Sequence, residues 1–238
     1  MLQACLNGGW PRTAHPRVPI TPIELASDAV AVREAGADEL HIHIRSISGI
    51  ETLEPTAVAN ALIAIRAAVP GMPIGIGTGA WISPGGRLRH SHIETWTVCP
   101  DYASVNLNED DAPEVIKLLV RHKVGIEAGL WNRHDAARFA SEIQFESCLR
   151  VLVEMTSSDA DAALQEASEV LAVLDSAGCD LPVLLHGQAG SVWRCVAEAW
   201  RLGMSTSVGF EDGSQLLDGA VAFDNAELVR VAIGLQQL

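Results

Sequence analysis

Two histidines one residue apart, His41 and His43, stand in the run Glu39-Leu-His-Ile-His-Ile-Arg45. A carboxylate pair, Glu211 and Asp212, closes a second apolar run, Val208-Gly-Phe-Glu-Asp212. In extended chain, side chains at i and i+2 share a face. Both imidazoles therefore project together, while Leu40, Ile42 and Ile44 project the other way. Neutral imidazole is the commonest metal-ligating side chain, and two imidazoles with one carboxylate and an open position form a catalytic zinc set. A competing reading makes the histidines satisfied core residues and pairs Glu211 with Arg45. The second His-x-His, His90 and His92, lies in a polar Gly/Arg-rich connection and reads as surface.

For residues about 170 positions apart to meet, the elements between them must bring their strands together. Strand-length apolar runs fall at residues 2–6, 39–44, 73–77, 102–107, 124–128, 150–155, 182–186 and 205–210. Helix-length amphipathic runs fall between and after them at 22–35, 57–68, 112–121, 135–142, 159–177, 191–202 and 226–236; only 87–99 is a doubtful helix. Thr21-Pro22 with Glu24 reads as an N-cap, a proline at the first helical position and a capping box. Gly36 and Gly178 read as helix C-terminal glycines. Strand–helix alternation forces parallel strands with right-handed crossovers. Eight such units in 238 residues predict a single-domain α/β chain, a (β/α)₈ barrel. An open doubly wound sheet is the alternative, but no Gly-x-Gly-x-x-Gly follows the first strand. In the barrel, His41 and His43 point inward near the C-terminal end of strand two. Strand eight, which carries Glu211, shares strand one as a neighbour with strand two.

Composition narrows the partners. The net charge is −14 and only two lysines occur, Lys117 and Lys123, so no basic stripe offers itself to nucleic acid or an anionic membrane. The five cysteines are widely spaced with no Cys-x-x-Cys, which predicts reduced buried thiols and a cytoplasmic protein. No apolar run reaches the ~20 residues of a membrane span, and the chain enters a strand-like run at once with no leader pattern. A Schiff-base aldolase is disfavoured, because neither lysine falls at the mouth of the barrel.

These residues resemble the β-keto acid cleavage enzymes (3-keto-5-aminohexanoate cleavage enzyme-like) over essentially the whole chain. The resemblance is carried by Pro19-Ile-Thr-Pro-Ile-Glu24, Glu34-Ala-Gly-Ala37, His41-Ile-His-Ile-Arg45, Thr78-Gly79, Ala103-Ser-Val-Asn106 and Val208-Gly-Phe-Glu-Asp212. It implies a metal-dependent barrel, usually zinc but open to other divalent ions, that condenses a β-keto acid with acetyl-CoA to give acetoacetate and a new acyl-CoA. It also implies His41, His43 and Glu211 as ligands, with Asp212 as general base and Arg45 beside it in the catalytic set; from the sequence alone Asp212 reads equally as a helix N-cap after strand eight. Thr78, Asn106, Glu127 and Ser207 fall at substrate-contacting positions, and homo-oligomers are common among members.

The pattern is not reproduced throughout. The family arginine four residues before the strand-eight glutamate is Ser207 here, the serine before Thr-Gly is Gly77, the second glutamate of the strand-five run is lost, and the aspartate after His-x-His-x-Arg is Ser46. These departures leave open a metal-dependent hydrolase, a lyase or aldolase needing no CoA, or a barrel that has lost its activity. Gly187 and Gly190, in the loop opening the seventh helix, read as an anion cradle for a CoA phosphate or as a simple Gly-rich turn. Glu127 and Glu154 are expected at the ends of strands five and six. Trp81, Trp131 and Trp193 are expected around the rim.

Overall fold

The computed structural model describes residues 1–236. Eight strands alternate with helices: β1 (Leu2–Cys5), α1 (Pro22–Ala35), β2 (Glu39–Ile42), α2 (Pro55–Ala68), β3 (Ile74–Gly77), α3 (Arg89–Glu94), β4 (Tyr102–Asn106), α4 (Ala112–Arg121), β5 (Gly125–Leu130), α5 (Arg133–Glu142), β6 (Arg150–Met155), α6 (Ala160–Ser176), β7 (Val183–Gly187), α7 (Val192–Arg201), β8 (Thr206–Val208) and α8 (Asn225–Gln236). The strands are all parallel in the order β7-β6-β5-β4-β3-β2-β1-β8. A bridge between Leu184 and Ser205 joins the two ends, with Leu185 N–H donating to Ser205 O and Ser205 N–H to Val183 O, each at 3.0 Å. This is the expected (β/α)₈ barrel. None of the described helices is long and apolar enough to cross a membrane.

Local chemistry sets the element ends. Thr21 and Glu24 form the capping box of α1, and Gly36 ends that helix at φ 109°, a left-handed geometry that favours glycine. The doubtful stretch 87–99 folds as the short α3 after a 3₁₀ turn at Gly86–Leu88. β2 stops at Ile42 and β8 at Val208, short of the expected 44 and 210, so His43 and Glu211 both lie just past their strands' ends. β5 runs on to Leu130.

Strand alternation divides the packing. Leu40, Ile42, Ile74, Ile76, Val105, Ile126, Val151 and Val153 belong to the apolar layer beneath the helices. The barrel interior is polar. Gln3 Nε2 reaches Glu39, Tyr102 and Glu127 at 3.0–3.2 Å, and Arg150 pairs with both Glu39 and Glu127. The Arg150 guanidinium lies 4.7 Å from the centre of the Tyr102 ring. Gly75 leaves the space that this ring fills, since a Cβ there would collide with it. The charged plug fills the barrel below the site, so the cavity above it has a closed floor.

Candidate metal centre and active-site cavity

His41 sits in β2 and His43 one residue past its end. The backbone at His43 is held from both sides: its N–H donates to Asn7 Oδ1 (2.8 Å), and its carbonyl accepts from Asn7 Nδ2 (2.9 Å). Glu211 stands on the turn after β8. That turn approaches β1 closely because Gly209 carries no Cβ, which would strike the Cys5 carbonyl. Trp10 Nε1–H donates to the Glu211 carbonyl at 2.9 Å. The three side chains converge, with ligand atoms all within 4.8 Å of one another. His43 Nε2 lies 3.1 Å and His41 Nε2 3.8 Å from the same Glu211 oxygen. Glu211 thus faces the histidines, not Arg45.

The electrostatics fit a cation. Burial opposes charge on Glu211, yet His43 and His41 outweigh it and hold its pKa at about 2. Burial likewise opposes charge on His43, but Glu211 and Glu51 raise its pKa to about 10. Burial keeps His41 below its ordinary value. Glu211 Oε2 is buried with no partner, an oxygen that a divalent ion would satisfy. Two imidazoles and a carboxylate with one such free oxygen suit zinc or a similar ion.

These three side chains open onto a cavity of about 380 Å³ at the C-terminal mouth of the barrel, where Trp10, Trp81 and Trp131 form walls and Gln3, Cys5 and Glu127 lie deeper. Among the described residues, no arginine or lysine lines it. A family model for beta-keto acid cleavage enzymes matches residues 1–237. The chain belongs to the beta-keto acid cleavage enzyme family. It is 33% identical over 106 residues to the 3-oxoadipate:acetyl-CoA acetyltransferase of Cupriavidus necator, an alignment covering 44% of this chain and 36% of that protein. Among solved structures, ObcA in ternary complex with a C4-CoA adduct and oxalate superposes with a TM-score of 0.75 at 16% identity, over 92% of this chain and 63% of that one. Apo ObcA gives 0.73 at 17% identity over 92% and 61%. The 3-dehydroquinate dehydratase of Aquifex aeolicus gives 0.62 at 12% over 100% and 98%. These superpositions show the shared barrel. The chain spans less than two thirds of the length of ObcA and aligns with about a third of the acetyltransferase.

The remaining residues expected at the site lie at varied distances from the cavity. Asn106 lines it, its amide donating to Glu109 at 3.3 Å. Asp212 is buried behind the wall, its Oδ1 3.0 Å from His186 Nδ1, and it is His186 that faces the cavity. Burial opposes charge on His186, but Asp212, Glu154 and Glu211 raise its pKa to about 9. Glu154 lines the cavity and accepts from Trp131 Nε1 and Gln188 Nε2, each at 3.0 Å.

Several positions differ from expectation. Glu127 does not end its strand: β5 continues three residues further, and the side chain is fully buried against Arg150 as part of the floor. Thr78 does not line the cavity, because its hydroxyl donates to Ser104 O (2.7 Å) and its carbonyl accepts from the fully buried Arg89. Ser207 is buried inside the barrel, below the mouth. Arg45 does not line the cavity either; it donates to the Gly8, Trp10 and Gly49 carbonyls, tying the first two mouth loops together. The loop holding Gly187 and Gly190 has much of its donor capacity in use: Gln188 N–H is bonded to Met155 O, Ala189 N–H to Asp212 O and Ser191 N–H to Gln188 O. Gly190 instead lines a neighbouring cavity of about 410 Å³ beside Phe210. Trp193 lies outside the metal cavity, donating to Gln215 O. His90 is bonded to Asp111 at 2.8 Å.

The sequence reading missed Glu51, whose carboxylate meets His43 Nδ1, and Trp10 and Gln3 in the cavity. Glu51 had one available signal. Ser46-Ile-Ser-Gly-Ile50 is a short turn-forming stretch that returns the chain toward the histidine strand.

Proposed function

We propose that the protein condenses a β-keto acid with acetyl-CoA, giving acetoacetate and a new acyl-CoA, with zinc or another divalent ion held by His41, His43 and Glu211. The observation that carries this reading is the convergence of those three side chains at the cavity of a chain belonging to this family. When bound, such an ion supplies Lewis acidity toward the keto and carboxylate oxygens of the substrate. In the overall exchange, R–CO–CH₂–COO⁻ and CH₃–CO–SCoA become R–CO–SCoA and CH₃–CO–CH₂–COO⁻.

The chain's own groups supply orientation and proton handling. His186 faces the cavity, and Asp212 behind it orients the ring and favours its protonated form, so the two act together as the proton-handling unit. The Asn106 amide stands where it can donate to a substrate oxygen. Trp81 and Trp131 give the cavity apolar walls against which the substrate chain can pack. Among the described residues the cavity offers no guanidinium or ammonium group to a second carboxylate, and Glu154 lines it, whereas Glu127 in its floor is already paired with Arg150. The R group is therefore uncharged or cationic.

The test incubates zinc-loaded protein with a panel of β-keto acids, with and without acetyl-CoA, and follows acetoacetate. Acetoacetate that depends on acetyl-CoA is expected. Turnover without acetyl-CoA would replace this reading with a lyase or hydrolase, and silence across the panel would remove it. Within the panel, 3-oxohexanoate should outperform 3-oxoadipate, which differs by the second carboxylate. Equal kcat/KM for the two would refute the assignment of R.

A further inference from the structure

We infer that Glu51 is a positioning residue that presents His43 Nε2 to the metal. This rests on the reading of His41, His43 and Glu211 as ligands and extends it to a residue outside that set.

A neutral imidazole carries one proton, and whichever nitrogen holds it cannot ligate. Glu51 Oε1 meets His43 Nδ1 on one side of the ring, while Nε2 on the other side lies 3.1 Å from Glu211. A carboxylate accepts but does not donate, so it selects the tautomer with the proton on Nδ1 and the lone pair on Nε2. His41 has no such support, because its Nδ1 is buried with no partner. The two ligands are thus unequal: one imidazole is anchored from behind, and the other is held by packing alone.

The position of Glu51 is built, not incidental. Arg45 and Glu51 form an antiparallel bridge, Ser46 N–H donates to Ile50 O (2.8 Å), and Thr52 N–H donates to Ile44 O (2.9 Å). This small hairpin turns at Gly49, whose φ of 80° suits glycine. On its far side Ser83 N–H donates to the Glu51 carbonyl at 3.2 Å. The chain after β2 therefore doubles back so that Glu51 backs His43, the residue just past the strand's end.

The test compares wild type with Glu51→Ala and Glu51→Gln. Zinc affinity is measured by competition with a chromogenic chelator, the metal-free fold by thermal melting, and the His43 tautomer in the zinc-loaded protein by long-range ¹H–¹⁵N NMR. Loss of such a partner typically lowers metal affinity about 10- to 100-fold, and Glu51→Ala is expected to fall in that range with metal-free melting unchanged. Glu51→Gln is the isosteric variant that carries the test should the alanine variant fail to fold. Its amide oxygen still accepts, so a smaller loss is expected. Zinc affinity within twofold of wild type in both variants would overturn the inference, as would a loss of affinity that only tracks loss of the metal-free fold. Wild type that binds no zinc would overturn the ligand assignment and this inference with it. No substrate enters these measurements, so failure of the proposed reaction is read separately.

Discussion

Gly77 is the position at which the smallest perturbation tests the metal centre most directly. A Cβ added there would lie 2.8 Å from His43 Nε2 and 2.9 Å from its Cε1. Ordinary contact is about 3.5 Å, so Gly77→Ala creates an overlap of about 0.7 Å against the ligating edge of the ring. The imidazole has little room to retreat, because Glu51 holds its far nitrogen and Asn7 clamps the His43 backbone. Overpacking of this kind costs about 1–3 kcal/mol. At 1.4 kcal/mol per tenfold, zinc affinity should fall by roughly 5- to 150-fold where the strain is concentrated in the bound state. Gly77→Ser, which adds a hydroxyl to the same Cβ, should do at least as much. Chelator competition measures the affinity, and melting of the metal-free protein reports strain borne by the fold. Gly77→Ala that binds zinc within twofold of wild type and melts unchanged would refute the reasoning, because the ring would then not stand where the geometry puts it.

Other outcomes follow from the charged groups. In the metal-free protein, the stability from His43 is present below the ordinary imidazole pKa of about 6.5 and is lost as pH rises through about 10. That from Glu211 is present above the ordinary carboxyl pKa of about 4.3 and is lost as pH falls through about 2. Melting temperature should therefore decline toward pH 10, and calorimetry at pH 7.5 in buffers of different ionisation enthalpy should show zinc binding releasing about one proton or more; no release would contradict a charged His43. Arg150→Met strands Glu39 and Glu127 in the barrel and should cost about 3–5 kcal/mol in urea denaturation, a loss under about 1 kcal/mol meaning the plug is not a tightly paired unit. Asp212→Asn should lower kcat about 100-fold or more with zinc affinity nearly unchanged; an unaltered kcat would remove the Asp212–His186 pair from proton handling.

The pattern of side chains made the barrel legible, and with it the convergence of His41, His43 and Glu211. Strict alternation in Glu39-Leu-His-Ile-His-Ile-Arg45 assigned Leu40 and Ile42 to the helix-covered side and both histidines to the interior, and the structure has that arrangement. The caps of α1 could be read because their chemistry is local. What escaped depends on contacts between distant segments. Glu127 reads as a strand end only if β5 stops at Ala128, and its extension is set by pairing of Asn106 with Gly129 and Leu130 with Val153. Thr78 looks free in sequence because neither Ser104 nor Arg89 announces itself as its partner. Asp212 reads as facing the site until β7 brings His186 in front of it.

Arg89 has a consequence for how such a mouth changes over time. It is fully buried and binds the Thr78 and Gly86 carbonyls on one side and Glu109 and Asp111 on the other. Glu109 in turn accepts from the Asn106 amide and the Ala80 N–H. The rim above β3 and β4 is thereby knotted into one unit, so replacements at Thr78, Asn106 and Glu109 should be felt jointly and depart from additivity. A change in the shape of this part of the mouth must therefore alter several of these residues together, and divergence among relatives should gather away from the knot.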